Sequence, residues 1–163
     1  MAGGPISPTS AYPADTSGRL FPMFYNGAGG NASPHDEGLG VQASLGADAT
    51  WELRFPMPPS IPTGTLKIRV LSLANASTGA AKFTVKDGLC AASSSPSAAS
   101  LTSESQSTVT WGAGDADKYK ETKVTLTGAS PAGNEMLIVA LTFNTSGFTL
   151  AQPSCHIVTA IWE

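Results

Sequence analysis

An all-β fold, two antiparallel sheets packed as a jelly-roll-type sandwich behind an extended N-terminal arm, is predicted by three features of this 163-residue sequence. Short runs alternate apolar and polar residues with period two. Turn clusters of Gly, Pro, Asn, Asp and Ser separate them, and no segment carries three-four helical spacing over ten residues. Some eight such runs recur at the spacing of a two-sheet sandwich, and a chain of this length fits one core. Only 13% of residues are charged, against about 25% in a typical soluble domain, so the surface is polar but mostly uncharged.

Residues 1–38 read as the arm. GGPISP, YNGAGGNASP and HDEG cannot bury much apolar surface by themselves. One apolar island interrupts them: Leu20, Phe21, Met23, Phe24 and Tyr25, with Pro22 inside. Pro22 excludes a central strand and allows an edge strand or an extended segment. Flanks this rich in Gly and Pro offer the island no local core. These five residues are therefore the candidate partner-binding surface, with the first strand of the same sandwich as the competing reading.

Residues 39–163 read as the sandwich. In ATWELRFP, Trp51, Leu53 and Phe55 alternate with Thr50, Glu52 and Arg54, and the prolines of MPPSIPTG end the strand. In TLKIRVLSLA, Leu66, Ile68 and Val70 share a face, and the shift of phase to Leu71 and Leu73 predicts a bulge near Leu71. AAKFTVKDG offers Ala81, Phe83 and Val85 before a Ser-rich loop, and STVTW offers Val109 and Trp111. Only the second half of YKETKVTLTG alternates firmly, through Val124 and Leu126. NEMLIVALTFN is apolar almost throughout, as in a central strand covered on both faces. CHIVTAIWE sets Ile157, Thr159 and Ile161 against His156, Val158, Ala160 and Trp162, and is expected to stitch Glu163 into a sheet.

The net charge of −3 and the scattered Lys and Arg, grouped only at Lys118, Lys120 and Lys123, argue against a nucleic-acid partner. The start MAGGPISPTSAYPADTSGR lacks a basic n-region and an apolar h-region, and no run approaches the ~20 apolar residues of a membrane span. The expectation is a cytoplasmic start and no membrane partner. Cys90 and Cys155 match no zinc pattern and are expected as free thiols, with a disulfide formed after release from a cell as the alternative.

No catalytic centre is visible. His35 lies in the loop SPHDEG, and His156 beside Cys155 on a strand cannot form a dyad, because adjacent side chains point to opposite faces. His156 therefore reads as packed or edge-facing. The carboxylates fall mostly in loops, so no glycosidase-like pair stands out. Asp115 and Asp117 in GAGDADKY suggest calcium, but the acidic ladder is short and Lys118 follows, so a turn without metal is the better reading. Trp51, Trp111 and Trp162 lie in strand runs and read as core before they read as a sugar-stacking platform. GAGG at 27–30 lacks the helix and Lys of a phosphate loop, and the triplets at Asn31, Asn75 and Asn144 read as chance. No metal or cofactor is expected.

WELRFPMPPSIPTGTLKIRVLSLANASTGAAK, TVTWGAGDADKYKETKVTLTG and the closing IVTAIWE resemble the jelly-roll virion proteins of tailed bacteriophages, capsid decoration or cement proteins among them. The likeness spans about residues 49–163 and carries no catalytic motif. It implies a non-enzymatic structural protein, commonly a homotrimer, that assembles in the host cytoplasm, sits on the capsid exterior and bridges major capsid protein subunits. The alternative within the same fold is a carbohydrate- or receptor-binding module of a tail tip or fibre.

Overall fold

The computed structural model describes residues 24–28, 33–34, 41–42, 48–74, 78–91, 93–95, 99–116, 118–144, 149 and 154–163; for 24–28, 33–34, 41–42, 49, 74 and 154–155 it describes the backbone alone. Among these residues there are eleven strands and no helix: β1 (Phe24–Ala28), β2 (Ser33–Pro34), β3 (Val41–Gln42), β4 (Ala49–Pro56), β5 (Leu66–Ala74), β6 (Gly79–Cys90), β7 (Thr102–Ser103), β8 (Ser107–Trp111), β9 (Tyr119–Thr125), β10 (Met136–Phe143) and β11 (Ser154–Trp162).

They form two antiparallel sheets packed as a sandwich. The first runs β1-β4-β10-β6, and the far edge of β6 pairs with both β7 and β8. The second runs β2-β3-β11-β5-β9. From β4 to β6 and again from β8 to β11 each successive strand changes sheet, the winding of a jelly roll. Neighbours in a sheet are therefore distant in sequence.

The alternation foreseen in the sequence decides which side of each strand is buried. Trp51, Leu53 and Phe55 of β4, Leu137, Val139, Leu141 and Phe143 of β10, and Ala81, Phe83 and Val85 of β6 line the inner face of the first sheet. Leu66, Ile68 and Val70 of β5, Val124 of β9, and Val158 and Ala160 of β11 face them from the second. All are buried in one core. Each large side chain in it gains roughly 1.5–3 kcal/mol from leaving water. β10 is the central strand, as expected. Its outward side is less completely covered: Ile138 is buried, while Ala140 and Thr142 are half-buried.

Two expectations need correction. No bulge interrupts β5: the register with β11 and β9 runs unbroken through Leu71, which stands opposite Ile157 and Glu121. The inward row continues through Ser72, a polar residue that Leu71 and Leu73 flank on the outer face. β6 runs through KDG to Cys90, directly before the Ser-rich loop, so that Asp87 lies inside the strand. The first half of YKETKVTLTG also belongs to its strand, β9, where the edge position tolerates polar residues on both faces.

Two further predicted features fit, the proline stop after β4 and the stitching of Glu163. β4 stops at Pro56, and Met57 is tied to the Glu135 carbonyl through its N–H. Glu163 exchanges two backbone hydrogen bonds with Thr65, stitching this segment to the start of β5. β1 occupies the edge beside β4, Phe24 opposite Arg54 and Tyr25 opposite Leu53. Leu20, Phe21 and Met23 lie outside the described residues.

Two glycines in turns make a direct test of this packing. A Cβ on Gly133 would lie 2.1 Å from the Pro59 carbonyl oxygen, so the turn before β10 and the proline loop must part. A Cβ on Gly114 meets nothing within 4 Å, and the only cost is its φ of +83°. Gly114→Ala should lower stability by about 1 kcal/mol, and Gly133→Ala by roughly 2–4 kcal/mol. Equal midpoints in chemical denaturation would contradict this packing.

Candidate functional site

The outer face of the second sheet carries the densest set of interacting surface side chains among the described residues. Period two sends Lys67, Arg69, Leu71 and Leu73 of β5 outward, together with Tyr119, Glu121 and Lys123 of β9 and Ile157 of β11. Arg69 Nε donates to Glu121 Oε2 at 2.6 Å, and Lys67 Nζ to Glu163 Oε2 at 2.9 Å. Lys123 bridges the two acids, 3.2 Å from Glu121 Oε1 and in contact with Glu163. The Arg69 guanidinium holds the Glu121 carboxyl below the usual range, and Lys123, then Lys67, does the same for Glu163. In turn Glu163, then Glu121, raises the Lys123 ammonium.

At the end of this array stands Tyr119, 55% exposed, opposite Leu73. Half-buried Leu71, Leu73 and Ile157 form the apolar ground beside it. An aromatic face, an aliphatic floor and a row of fixed donors and acceptors thus share one surface. This suits a ligand with both C–H faces and hydroxyls.

Two polar groups face inward. His156 is wholly buried, Nδ1 2.8 Å from Ser72 Oγ, with its ring 4.6 Å from that of Phe143 and 5.6 Å from that of Phe83. Burial lowers its pKa to about 3, so it is neutral. It is a packed histidine, as the sequence indicates.

Asp87 also points into the seam, opposite Val139 of β10 and Thr102 of β7, and is 1% exposed. No other residue donates an N–H or O–H to either carboxyl oxygen, and only the main-chain N–H of Asp87 itself acts to lower its pKa. Its partner is another carboxyl, that of Glu104. Burial, then the hydrogen bond and charge of Glu104, push Asp87 up to about 7. Glu104 accepts from Thr127 N at 2.6 Å, Gly128 N at 2.9 Å and Thr127 Oγ1 at 2.8 Å. Burial acts to raise Glu104, but the N–H groups of Gly128 and Thr127 and the Thr127 hydroxyl outweigh it, and the net shift is downward.

Sequence reasoning missed this pair. KDG imitates a hairpin turn and Glu104 lies in a Ser-rich stretch, so nothing local marks two carboxyls brought together by the pairing of β6 with β7.

The loop considered for calcium is a turn. Asp115 accepts from Gly112 N at 3.0 Å and lies 2.8 Å from Lys120 Nζ, and these contacts, Lys120 first, hold its carboxyl below the usual range. Asp117 lies outside the described residues, among which no three His, Cys, Asp or Glu gather for a metal. Trp51 and Trp111 are core, and Trp162 is half-buried against it. Cys90 is a buried free thiol whose Sγ faces the Ser94 carbonyl at 3.3 Å, beside a recess of about 380 Å³ between Leu89, Ser100 and Glu135. Of the predicted partner-binding residues, only the backbones of Phe24 and Tyr25 are described, in β1.

No family model matches the chain, and no curated protein does. Solved structures similar to it include TmCBM61 in complex with β-1,4-galactotriose, 10% identical over 88% of this chain and 91% of that one, with a TM-score of 0.43. The family 11 carbohydrate-binding module from Clostridium thermocellum, in complex with a β-1,3-1,4-mixed-linked tetrasaccharide, is 10% identical over 85% and 87% of the two chains, with a TM-score of 0.39. The enzymatically active domain of bacteriophage CBA120 tailspike protein 4 is 9% identical over 90% of this chain and 19% of that one, with a TM-score of 0.35.

The neutral His156 sets a pH dependence. Unfolding returns it to its ordinary value of 6.5, so the unfolded chain binds the extra proton. Its contribution to stability is present above pH 6.5 and is lost as pH falls towards about 3. Melting temperatures measured from pH 7 to 4 should fall more steeply for the wild type than for Ser72→Ala/His156→Leu, which removes the ring and its hydroxyl partner together. Parallel curves would show that the ring takes no part.

Proposed function

We propose that this chain is a non-catalytic glycan-binding β-sandwich module of a phage virion, with the glycan lying across the outer face of the second sheet. The observation that carries the reading is the exposed Tyr119 ring set beside Leu71, Leu73 and the Arg69–Glu121–Lys123–Glu163 array. Sugars present alternating C–H faces and hydroxyls. An aromatic face packs against the first, and charged groups already held in place hydrogen-bond the second without first losing freedom. The virion setting rests on the sequence resemblance, and a tail tip or fibre is where such a module meets a host glycan.

Capsid decoration, with a homotrimer bridging major capsid protein through Leu20, Phe21, Met23, Phe24 and Tyr25, is the second use of the same fold. It rests on that resemblance and on the apolar island.

A glycan array with the purified protein tests the proposal. Binding to a defined oligosaccharide class is expected, weakened about fivefold by Tyr119→Ala through loss of roughly 1 kcal/mol of stacking. Arg69→Ala should weaken it further, with melting temperature nearly unchanged in both variants. Absence of binding across host-derived glycans, together with a copy number matching the capsid protein in purified particles, would replace this reading with decoration.

A further inference from the structure

We infer that Asp87 and Glu104 form a proton-dependent latch that ties the β6–β7 edge of the first sheet to the turn after β9 in the second. The two elements have no ladder between them. Glu104 spans the gap, leaving β7 and taking all three of its donors from Thr127 and Gly128. The contact is close: a Cβ on Gly128 would lie 2.8 Å from that of Thr102, the residue opposite Asp87 in the β6–β7 ladder. Behind Glu104 sits Asp87, buried, with no N–H or O–H donor from another residue on either oxygen.

Two carboxyls can share such a space only with one proton between them. With Asp87 protonated, its O–H donates to Glu104, whose remaining lone pairs accept from the turn. The shared proton and the Glu104 carboxylate are then both engaged. When Asp87 loses that proton, two negative charges face each other in a dry seam, and one carboxylate has to leave. Asp87 is fixed between β10 and β7 inside a twelve-residue strand, whereas Glu104 lies just beyond a two-residue strand and is only half-buried. Glu104 is the group that moves, and its departure releases Thr127 and Gly128.

The groups around the latch do not compensate. β10 presents Leu137, Val139 and Leu141 on this face, β7 presents Thr102, and the turn presents Thr127 and Gly128. Lys86 is the neighbour of Asp87 on β6 and points to the other face. Among the described residues, the charge that acts on Asp87 is that of Glu104. The sign follows. Asp87 titrates in the fold near 7, far above its ordinary value of 3.8, so the latch is closed in mild acid and opens as pH rises through neutrality.

Amide hydrogen exchange, corrected for the intrinsic pH dependence of exchange, reads the latch directly. Protection of the Thr127 and Gly128 amides should fall roughly tenfold or more between pH 5.5 and 8.5, while that of Val139 and Leu141 in β10 holds. In Asp87→Asn, a neutral isostere of the protonated acid, the Thr127 and Gly128 protection should stay nearly level over the same range. The same fall in Asp87→Asn, or no fall in the wild type, would overturn the inference. Should that variant not fold, carboxyl carbon NMR of the wild type decides: an Asp87 midpoint near 7 supports the latch, and one near its ordinary value of 3.8 overturns it.

Discussion

The structure depends on how β10 is packed. Its inward row, Leu137, Val139, Leu141 and Phe143, lies between Phe55, Leu53 and Trp51 of β4 on one side and Leu89, Asp87, Val85 and Phe83 of β6 on the other. The second sheet closes over that row from above. Because a side chain in a strand has only two directions to choose from, one slip of register would turn the whole row to solvent. The jelly-roll winding follows from the same constraint. Segments that alternate between the sheets supply both walls of the gap in turn, so most of the core is in place only when β10 arrives.

Within this seam, the two buried titratable side chains have opposite needs. His156 sits against Phe83 and must remain neutral, which acid opposes. Asp87 lies four residues further along β6, roughly 13 Å away, and must keep its proton, which base opposes. Acid thus works against one core residue and base against another. Burial is the common cause, since it penalises whichever form carries charge.

Where a residue's burial follows from its own strand, the sequence is a sufficient guide. Trp51, Leu53 and Phe55, the β10 run, and both faces of β11 can be read from alternation alone, because a sandwich strand expresses its environment in period two. Where burial depends on a partner far along the chain, alternation misleads. Ser72 breaks the apolar row of β5 and imitates a bulge, because the group that satisfies it, His156, lies 84 residues away. Asp87 imitates a turn for the same reason, since Glu104 reaches it only through the β6–β7 ladder. The candidate face is harder still. Tyr119 is one exposed aromatic in a polar edge strand, and nothing in YKETK indicates that Arg69 holds Glu121 or that Glu163 holds Lys123 further along the same face.

The placement of the acids also bears on why the outer face fits binding better than turnover. Cleaving a glycosidic bond calls for a carboxyl that keeps its proton at neutral pH, next to one that does not. On the outer face, Glu121 and Glu163 are both engaged by Lys123, with Arg69 and Lys67 as second partners, and both are shifted downward, so neither is the proton donor. The carboxyl that does hold a proton, Asp87, is sealed in the seam at 1% exposure, and Glu104 beside it is occupied with the turn. The proton donor and the accessible surface are on different sides of the sheets. A ligand on the proposed Tyr119 face would meet ion pairs that can orient its hydroxyls and, among the described residues, no acid placed to protonate its bridging oxygen.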